Sequence, residues 1–121
     1  MSSGPGRSAG DPDAAEDPSS HHHRAQFTLL PAADRAQRAE ELSERLVALV
    51  GVVPELSFVR AVASSTPDGA DVFLHAVYPS TEAMARVRAH PAHVAVIEWY
   101  RTVADDDRRV ELDVPPADGV R

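Results

Sequence analysis

The motif His90-Pro91-Ala92-His93 constrains the fold of this chain most, because it interrupts an otherwise helical stretch. Proline lacks an N–H and disfavours the α conformation of the preceding residue, so one continuous helix cannot pass through this point. Proline is, however, favourable at the first position of a new helix. Residues at helical spacing follow it on one face: His93, Ile97, Tyr100 and Ala104. The motif therefore predicts two consecutive helices, the second over residues 91–104, with His93 near its N-terminus.

Four other segments alternate apolar and polar residues, which is typical of half-buried strands. They cover residues 22–30, 56–62, 71–78 and 108–114. A helix over residues 34–50 with Asp34 as its N-cap separates the first two, and Ser80 is expected to cap a short helix before Pro91. This order predicts an α+β protein: a ferredoxin-like, four-stranded antiparallel sheet with its helices on one face.

The ends of the chain differ in composition from its middle. Residues 1–20 are largely Gly, Pro, Ser, Ala and Asp, and residues 115–121 begin with two prolines. Such segments bury too little apolar surface to offset their conformational entropy. We therefore expect a disordered N-terminal tail over 1–20, one domain over 21–114 and a C-terminal tail over 115–121.

Composition excludes several classes of function. The net charge of −7 argues against a nucleic-acid partner, since phosphate binding requires a cationic surface. There is no cysteine for a disulfide or a thiolate metal site. No apolar run approaches the ~20 residues of a membrane span, and no signal peptide is recognisable. These features predict a cytoplasmic protein without a membrane partner.

The alternation also assigns the strand residues to two faces of the sheet. We expect the helices to cover the more apolar set: Phe27, Leu29, Leu56, Phe58, Leu74 and Leu112. The opposite face still carries apolar residues among charged ones: Leu30, Val59, Phe73 and Val77. A half-apolar open face is typical of an association surface. It predicts a two-fold homodimer in which two sheets face each other.

With these elements in place, the chain resembles the Dabb (stress-responsive A/B-barrel) family of dimeric α+β barrels. The resemblance covers about residues 23–114, nearly the whole predicted domain. It is carried by His23 and Phe27, Val53-Pro54, Asp71, Ser80, the closing strand from Arg108 to Asp113, and above all His90-Pro91-Ala92-His93.

The resemblance implies two kinds of activity. Most family members are associated with stress responses or with dimeric ligand binding. A minority are polyketide cyclases that close an aromatic ring by intramolecular aldol condensation without a cofactor. In those, the second histidine of the motif is the base, which is His93 here, and a tyrosine of the preceding helix assists it. This chain has Val87 at that position, which leaves Tyr78 and Tyr100 as candidates for the tyrosine's role.

The predicted site is a pocket between the sheet and the helices for a small hydrophobic or polyketide-like ligand. His93 and His23 are the candidate catalytic residues, and Asp113 is a candidate to orient His93, although alternation places it on the open face. The candidate ligand contacts are Arg60, Phe27, Leu74, Tyr78, Val87, Ile97 and Tyr100. No third ligand accompanies the pair His90 and His93, so we expect no metal. His21 and His22 are expected to be exposed, and His90 to cap the helix junction.

Three functions stay open from the sequence. The first is a cofactor-independent cyclase with His93 as base. The second is a non-catalytic, stress-responsive ligand-binding dimer with structural histidines. The third is a monooxygenase of the dimeric barrel type, which shares the fold. The missing tyrosine counts against the first and the two pocket histidines against the second. An enclosed apolar pocket beside His93 is the feature that would favour ligand chemistry.

Overall fold

The structure, a computed structural model, describes residues 6–116. These residues form one antiparallel sheet of five strands in the order β1-β3-β4-β2-β5. The strands are β1 (Arg7–Gly10), β2 (His21–Thr28), β3 (Phe58–Thr66), β4 (Gly69–Tyr78) and β5 (Val110–Val114). The helices are α1 (Arg35–Ala48), α2 (Thr81–Ala89) and α3 (Pro91–Val103). The predicted α+β class is confirmed, and the sheet has one strand more than expected.

The N-terminal segment differs from the predicted disordered tail. β1 pairs with β3, with Arg7 opposite Ala61 and Gly10 opposite Phe58. A 3-10 helix over Pro12–Glu16 then packs against β3 and β4. Main-chain pairing needs no apolar side chains, which is why composition did not reveal this strand. Residues 1–5 and 117–121, the outer parts of the two predicted tails, lie outside the described residues.

The register of the strands corrects part of the predicted face assignment. Val59 pairs with Ala76 on the side covered by helices and is 2% exposed, although alternation placed it on the open face. Phe58 and Leu112, expected beneath the helices, lie on the open face opposite Val77 and Arg24. Phe58 and Val59 are both large and apolar, so the pattern could not fix the phase of β3.

The open face combines apolar and titratable side chains. Its large exposed apolar residues are Phe73, Val110, Leu112 and Val114. His22 Nδ1 lies 2.9 Å from His75 Nε2, and the two rings are stacked. Burial, with the charge of Arg24 next, lowers the pKa of His75 to about 4. His22 was expected to be exposed, but the structure shows it half-buried.

Side chains at the helix ends explain how α2 and α3 meet. The Ala92 N–H donates to His90 Nδ1 at 3.0 Å, so His90 caps α3 as predicted. Ser80 likewise caps α2 by accepting from the Ala83 N–H. Asp34 occupies the N-cap position of α1 as expected, but its side chain makes no capping hydrogen bond and accepts one from the Arg38 side chain. None of the helices within residues 6–116 is long and apolar enough to cross a membrane.

Candidate active site between the sheet and the third helix

A cavity of about 470 Å³ lies between the helix-covered side of the sheet and α3. Most of its wall is apolar, and the larger apolar residues are Phe27, Leu46, Leu49, Leu56, Leu74 and Ile97. Its titratable residues come from β2, β4, β5 and the two consecutive helices, and the principal ones are His23, His93, Tyr78, Tyr100, Arg88 and Glu111. Ligand sites typically combine a largely apolar wall with few polar groups.

His93 sits in the first turn of α3 and lines this cavity. Its Nδ1 atom is buried and has no hydrogen-bond partner. Burial lowers the pKa of His93, and the positive charge of Arg88 lowers it further. The neutral imidazole is therefore the favoured form at neutral pH. A buried, unpartnered ring nitrogen at a cavity wall can accept a proton from a bound molecule.

His23 also lines the cavity, but both of its ring nitrogens are engaged. Nδ1 lies 3.0 Å from Asp113 Oδ1, and Nε2 lies 3.1 Å from Glu111 Oε1. Ionised carboxylate oxygens only accept hydrogen bonds, so in each of these contacts the ring nitrogen of His23 is the donor when it carries a proton. His23 is consequently fixed in place by two acids, whereas His93 is not. The two histidines that the sequence paired as catalytic candidates thus differ in their surroundings.

Asp113 lies on the helix-covered side, which corrects its placement by simple alternation. It is opposite His23 in the register of β2 and β5. Its hydrogen bonds are with His23 and with His21, whose Nε2 is 2.9 Å away. Burial alone would raise the pKa of Asp113, but the hydrogen bonds from His21 and His23 outweigh it and lower the pKa. His21, expected to be exposed, is only 3% exposed and reaches Thr81 through Nδ1.

Two tyrosines lie in the cavity wall. The Tyr100 hydroxyl is buried beside Asp106, and its ring packs edge-on against Phe27. Burial raises the pKa of Tyr100, and the hydrogen bond and charge of neighbouring Asp106 add to this rise, so the hydroxyl keeps its proton. Burial likewise raises the pKa of Tyr78. These are the two residues that the sequence left as candidates for the missing tyrosine's role.

Two predicted ligand contacts lie elsewhere. Arg60 is opposite His75 on the open face, because the phase of β3 differs from the predicted one. Val87 is 1% exposed and packs in the core without lining the cavity. The other predicted contacts line it as expected: Phe27, Leu74, Tyr78, Ile97 and Tyr100.

Sequence reasoning missed several charged residues of the wall. Glu111 was missed because the alternation predicted the wrong phase for β5. Its Oε2 lies 2.6 Å from Arg109 Nε. Arg88 comes directly after Val87, the position at which the resemblance implies a tyrosine. That adjacency was the feature of the sequence that could have indicated Arg88 as a wall residue. Within the described residues there is no group of three or more side chains suited to hold a metal ion.

Comparison with known proteins identifies the family. The model of the Stress responsive A/B Barrel Domain, Dabb, matches residues 22–115. The chain belongs to the Dabb family. The match begins after β1 and the 3-10 helix, so both lie outside the part that defines this Dabb domain. No curated protein matches the chain.

Solved structures share the fold of this Dabb domain. A dimeric protein of unknown function with a ferredoxin-like fold from Bacteroides fragilis has a TM-score of 0.69 at 16% identity, covering 80% of this chain and 96% of that chain. A mutant of SnoaB, a cofactor-independent oxygenase from Streptomyces nogalater, has 0.62 at 16%, covering 84% and 97%. A dimeric ferredoxin-like protein from Thermobifida fusca has 0.62 at 20%, covering 79% and 90%. The predicted ferredoxin-like fold is therefore confirmed.

Proposed function

We propose that this Dabb protein binds a small hydrophobic carbonyl compound in the cavity and that His93 removes a proton from it without a cofactor. One observation carries the proposal: His93, which lines the largely apolar cavity, holds a buried Nδ1 atom without a hydrogen-bond partner. Buried polar atoms are nearly always satisfied, so such exceptions point to a function. A ligand with an acidic C–H next to a carbonyl group would give this nitrogen a proton to accept.

The chemistry that suits this arrangement is enolate formation. The C–H bond next to the carbonyl breaks, its proton passes to His93 Nδ1, and its electron pair moves onto the carbonyl oxygen. Tyr100 lines the same cavity and keeps its proton, so we assign its hydroxyl the role of a donor to that developing negative charge. His23, held by Asp113 and Glu111, contributes a fixed polar wall rather than a second base.

Two outcomes can follow from the same enolate. In a cyclase, its carbon attacks a second carbonyl of the ligand, and the resulting alkoxide takes up a proton, which completes an aldol condensation once water is lost. In an oxygenase, the enolate passes electrons to O₂. The fold relative SnoaB is a cofactor-independent oxygenase, which is the observation that favours this second candidate. A stress-responsive binding domain is the third, in which the cavity holds a ligand that it does not convert.

The experiment compares wild type with His93→Ala and His93→Gln on a linear poly-β-keto thioester, with His75→Gln as the matched control on the open face. Products are followed by mass spectrometry and O₂ with an electrode. We expect product formation to be lost in both His93 variants and kept in the control. A cyclised isomer without O₂ uptake identifies a cyclase, and O₂ uptake an oxygenase. Equal turnover in wild type and His93→Ala would contradict the role of His93, and a bound but unconverted substrate would indicate the binding domain.

We further propose that the protein is a homodimer joined through its open sheet face. Four large apolar side chains there are 43–60% exposed: Phe73, Val110, Leu112 and Val114. A monomer rarely leaves such a contiguous patch uncovered. The fold relatives from Bacteroides fragilis and Thermobifida fusca are themselves dimeric, which supports the same arrangement here.

A further inference from the structure

Arg88 is a charged residue of the cavity wall to which the proposed function assigns no role. It lies in the last turn of α2, lines the cavity and keeps 42% of its side chain exposed. Its nearest acid is Asp113, whose Oδ1 is 3.9 Å from Arg88 Nη2. That oxygen is already held more closely by His21 and His23, at 2.9 and 3.0 Å.

The remaining contact of Arg88 does not satisfy its guanidinium either. Nη2 lies 3.5 Å from His23 Nδ1, but that nitrogen donates to Asp113 and cannot accept at the same time. A guanidinium carries five N–H donors in a planar fork that matches the two oxygens of a carboxylate. Arg88 therefore presents largely unused donors at the wall of the cavity.

Arg109, another charged residue of the wall, has acidic partners of its own. Arg109 is paired with Glu111 at 2.6 Å and with Asp106 at 3.1 Å. Glu98 and Arg101 are one turn apart on α3 and carry opposite charges. Arg88 differs from Arg109 because its nearest acid within the described residues, Asp113, is shared with two histidines. Its charge also acts on His93, which places the guanidinium near the proposed base.

We propose that the ligand carries a carboxylate, which Arg88 binds through its guanidinium while the apolar body of the ligand fills the cavity beside His93. This inference rests on the proposed function and names the substrate class of the same site: a carbonyl compound with an apolar body and an acidic end. Binding the carboxylate would fix which carbon of the ligand faces His93, since one end of the molecule is held.

The test uses 2-naphthoate and its neutral amide, 2-naphthamide, as probes of nearly equal size and shape. Their affinities for the full-length protein are measured by calorimetry at neutral pH. We expect wild type to bind the carboxylate at least about tenfold more tightly than the amide, the scale expected of a charge-assisted hydrogen bond. Arg88→Gln should abolish this preference while leaving amide binding unchanged. Arg88→Lys should keep only part of it, because an ammonium lacks the planar fork.

Arg86→Gln is the matched control. Arg86 lies on the same helix but is bound by Glu55 on the outside, at 2.6 Å. This variant should keep the preference for the carboxylate, and thermal unfolding verifies that all variants remain folded. Equal binding of the two probes by wild type, or a preference that survives in Arg88→Gln, would overturn the carboxylate assignment while cavity binding stood. If neither probe bound, the proposed function and this inference would both be overturned.

Discussion

At the residue scale, the cavity places two histidines in opposite electrostatic situations. The ring nitrogens of His23 lie within hydrogen-bond distance of Asp113 and Glu111, whereas His93 has a buried ring nitrogen without a hydrogen-bond partner. The same residue type is thereby a fixed hydrogen-bond donor in one place and a free base in the other. This difference is set by the neighbouring strand and helix, and the spacing of the histidines along the chain does not encode it.

The first prediction concerns the titration of His93. Its pKa should lie below the usual 6.5, because burial and then the charge of Arg88 disfavour the imidazolium. The ring should accordingly remain neutral as the pH falls through 6.5. In Arg88→Gln the repulsion is removed while burial remains, so the pKa should rise towards 6.5. Side-chain NMR over a pH series measures both values. Arg86→Gln should leave the titration unchanged, and an identical shift in the two variants would refute the assigned cause.

A second prediction concerns Asp113. Asp113→Asn removes the charge that accepts hydrogen bonds from His21 and His23, both of which are buried. Because the Asp113 side chain is 40% exposed, we expect a loss of only about 1–2 kcal/mol in the free energy of unfolding. Urea denaturation at neutral pH measures this loss. Asp68→Asn, in the exposed turn between β3 and β4, serves as control. Equal stability of the two variants would show that the histidines need no ionised partner.

At the scale of elements, the sequence predicted the α+β order, the break at Pro91 and the caps at Ser80 and His90, because each follows from a local rule. The phases of β3 and β5 did not follow. In β3, Phe58 and Val59 fit either face equally well. In β5, the apolar side faces away from the helices and the charged side lines the cavity, which reverses the usual assignment. The cavity residues that the sequence identified therefore lie on elements whose phase was right, while Arg60 was misplaced and Glu111 was missed.

The attachment of β1 gives a third prediction, since this strand lies outside the family's domain. Gly10 has φ +96°, and a Cβ there would clash with the Ser57 carbonyl oxygen. Gly10→Ala should therefore strain or detach β1, at a cost of about 1–3 kcal/mol in the free energy of unfolding. Gly69→Ala is the control, because nothing lies within 4 Å of a Cβ at that position.

Urea denaturation gives the change in stability, and hydrogen exchange of the amides paired between β1 and β3 shows whether the strand is released. We expect faster exchange along Arg7–Gly10 in Gly10→Ala, while the pairing of β2 with β4 stays protected. Unchanged stability and exchange in Gly10→Ala would mean that β1 contributes nothing to the folded protein.

At the scale of the whole molecule, the two faces of the sheet have different surroundings. The helix-covered face holds the cavity, and the open face remains half-apolar. The predicted dimer follows from that imbalance rather than from any motif. It also explains β5, whose five residues are all exposed and whose apolar side chains have no cover within the described chain. A second copy would cover them.

The last prediction tests this dimer through Leu112, which is 59% exposed on the open face. Leu112→Glu should yield a folded monomer, because the new carboxylate would lie opposite Arg24 of β2, where the two charges attract each other in the isolated chain. In a dimer, the same carboxylate would have to leave water at an apolar contact, which is unfavourable. Sedimentation velocity at micromolar concentration distinguishes the two states. Val52→Glu changes a residue of nearly equal exposure, 57%, that lies outside the sheet, so it should remain dimeric. A monomeric wild type, or a Leu112→Glu variant that sediments as a dimer, would remove the open face as the interface.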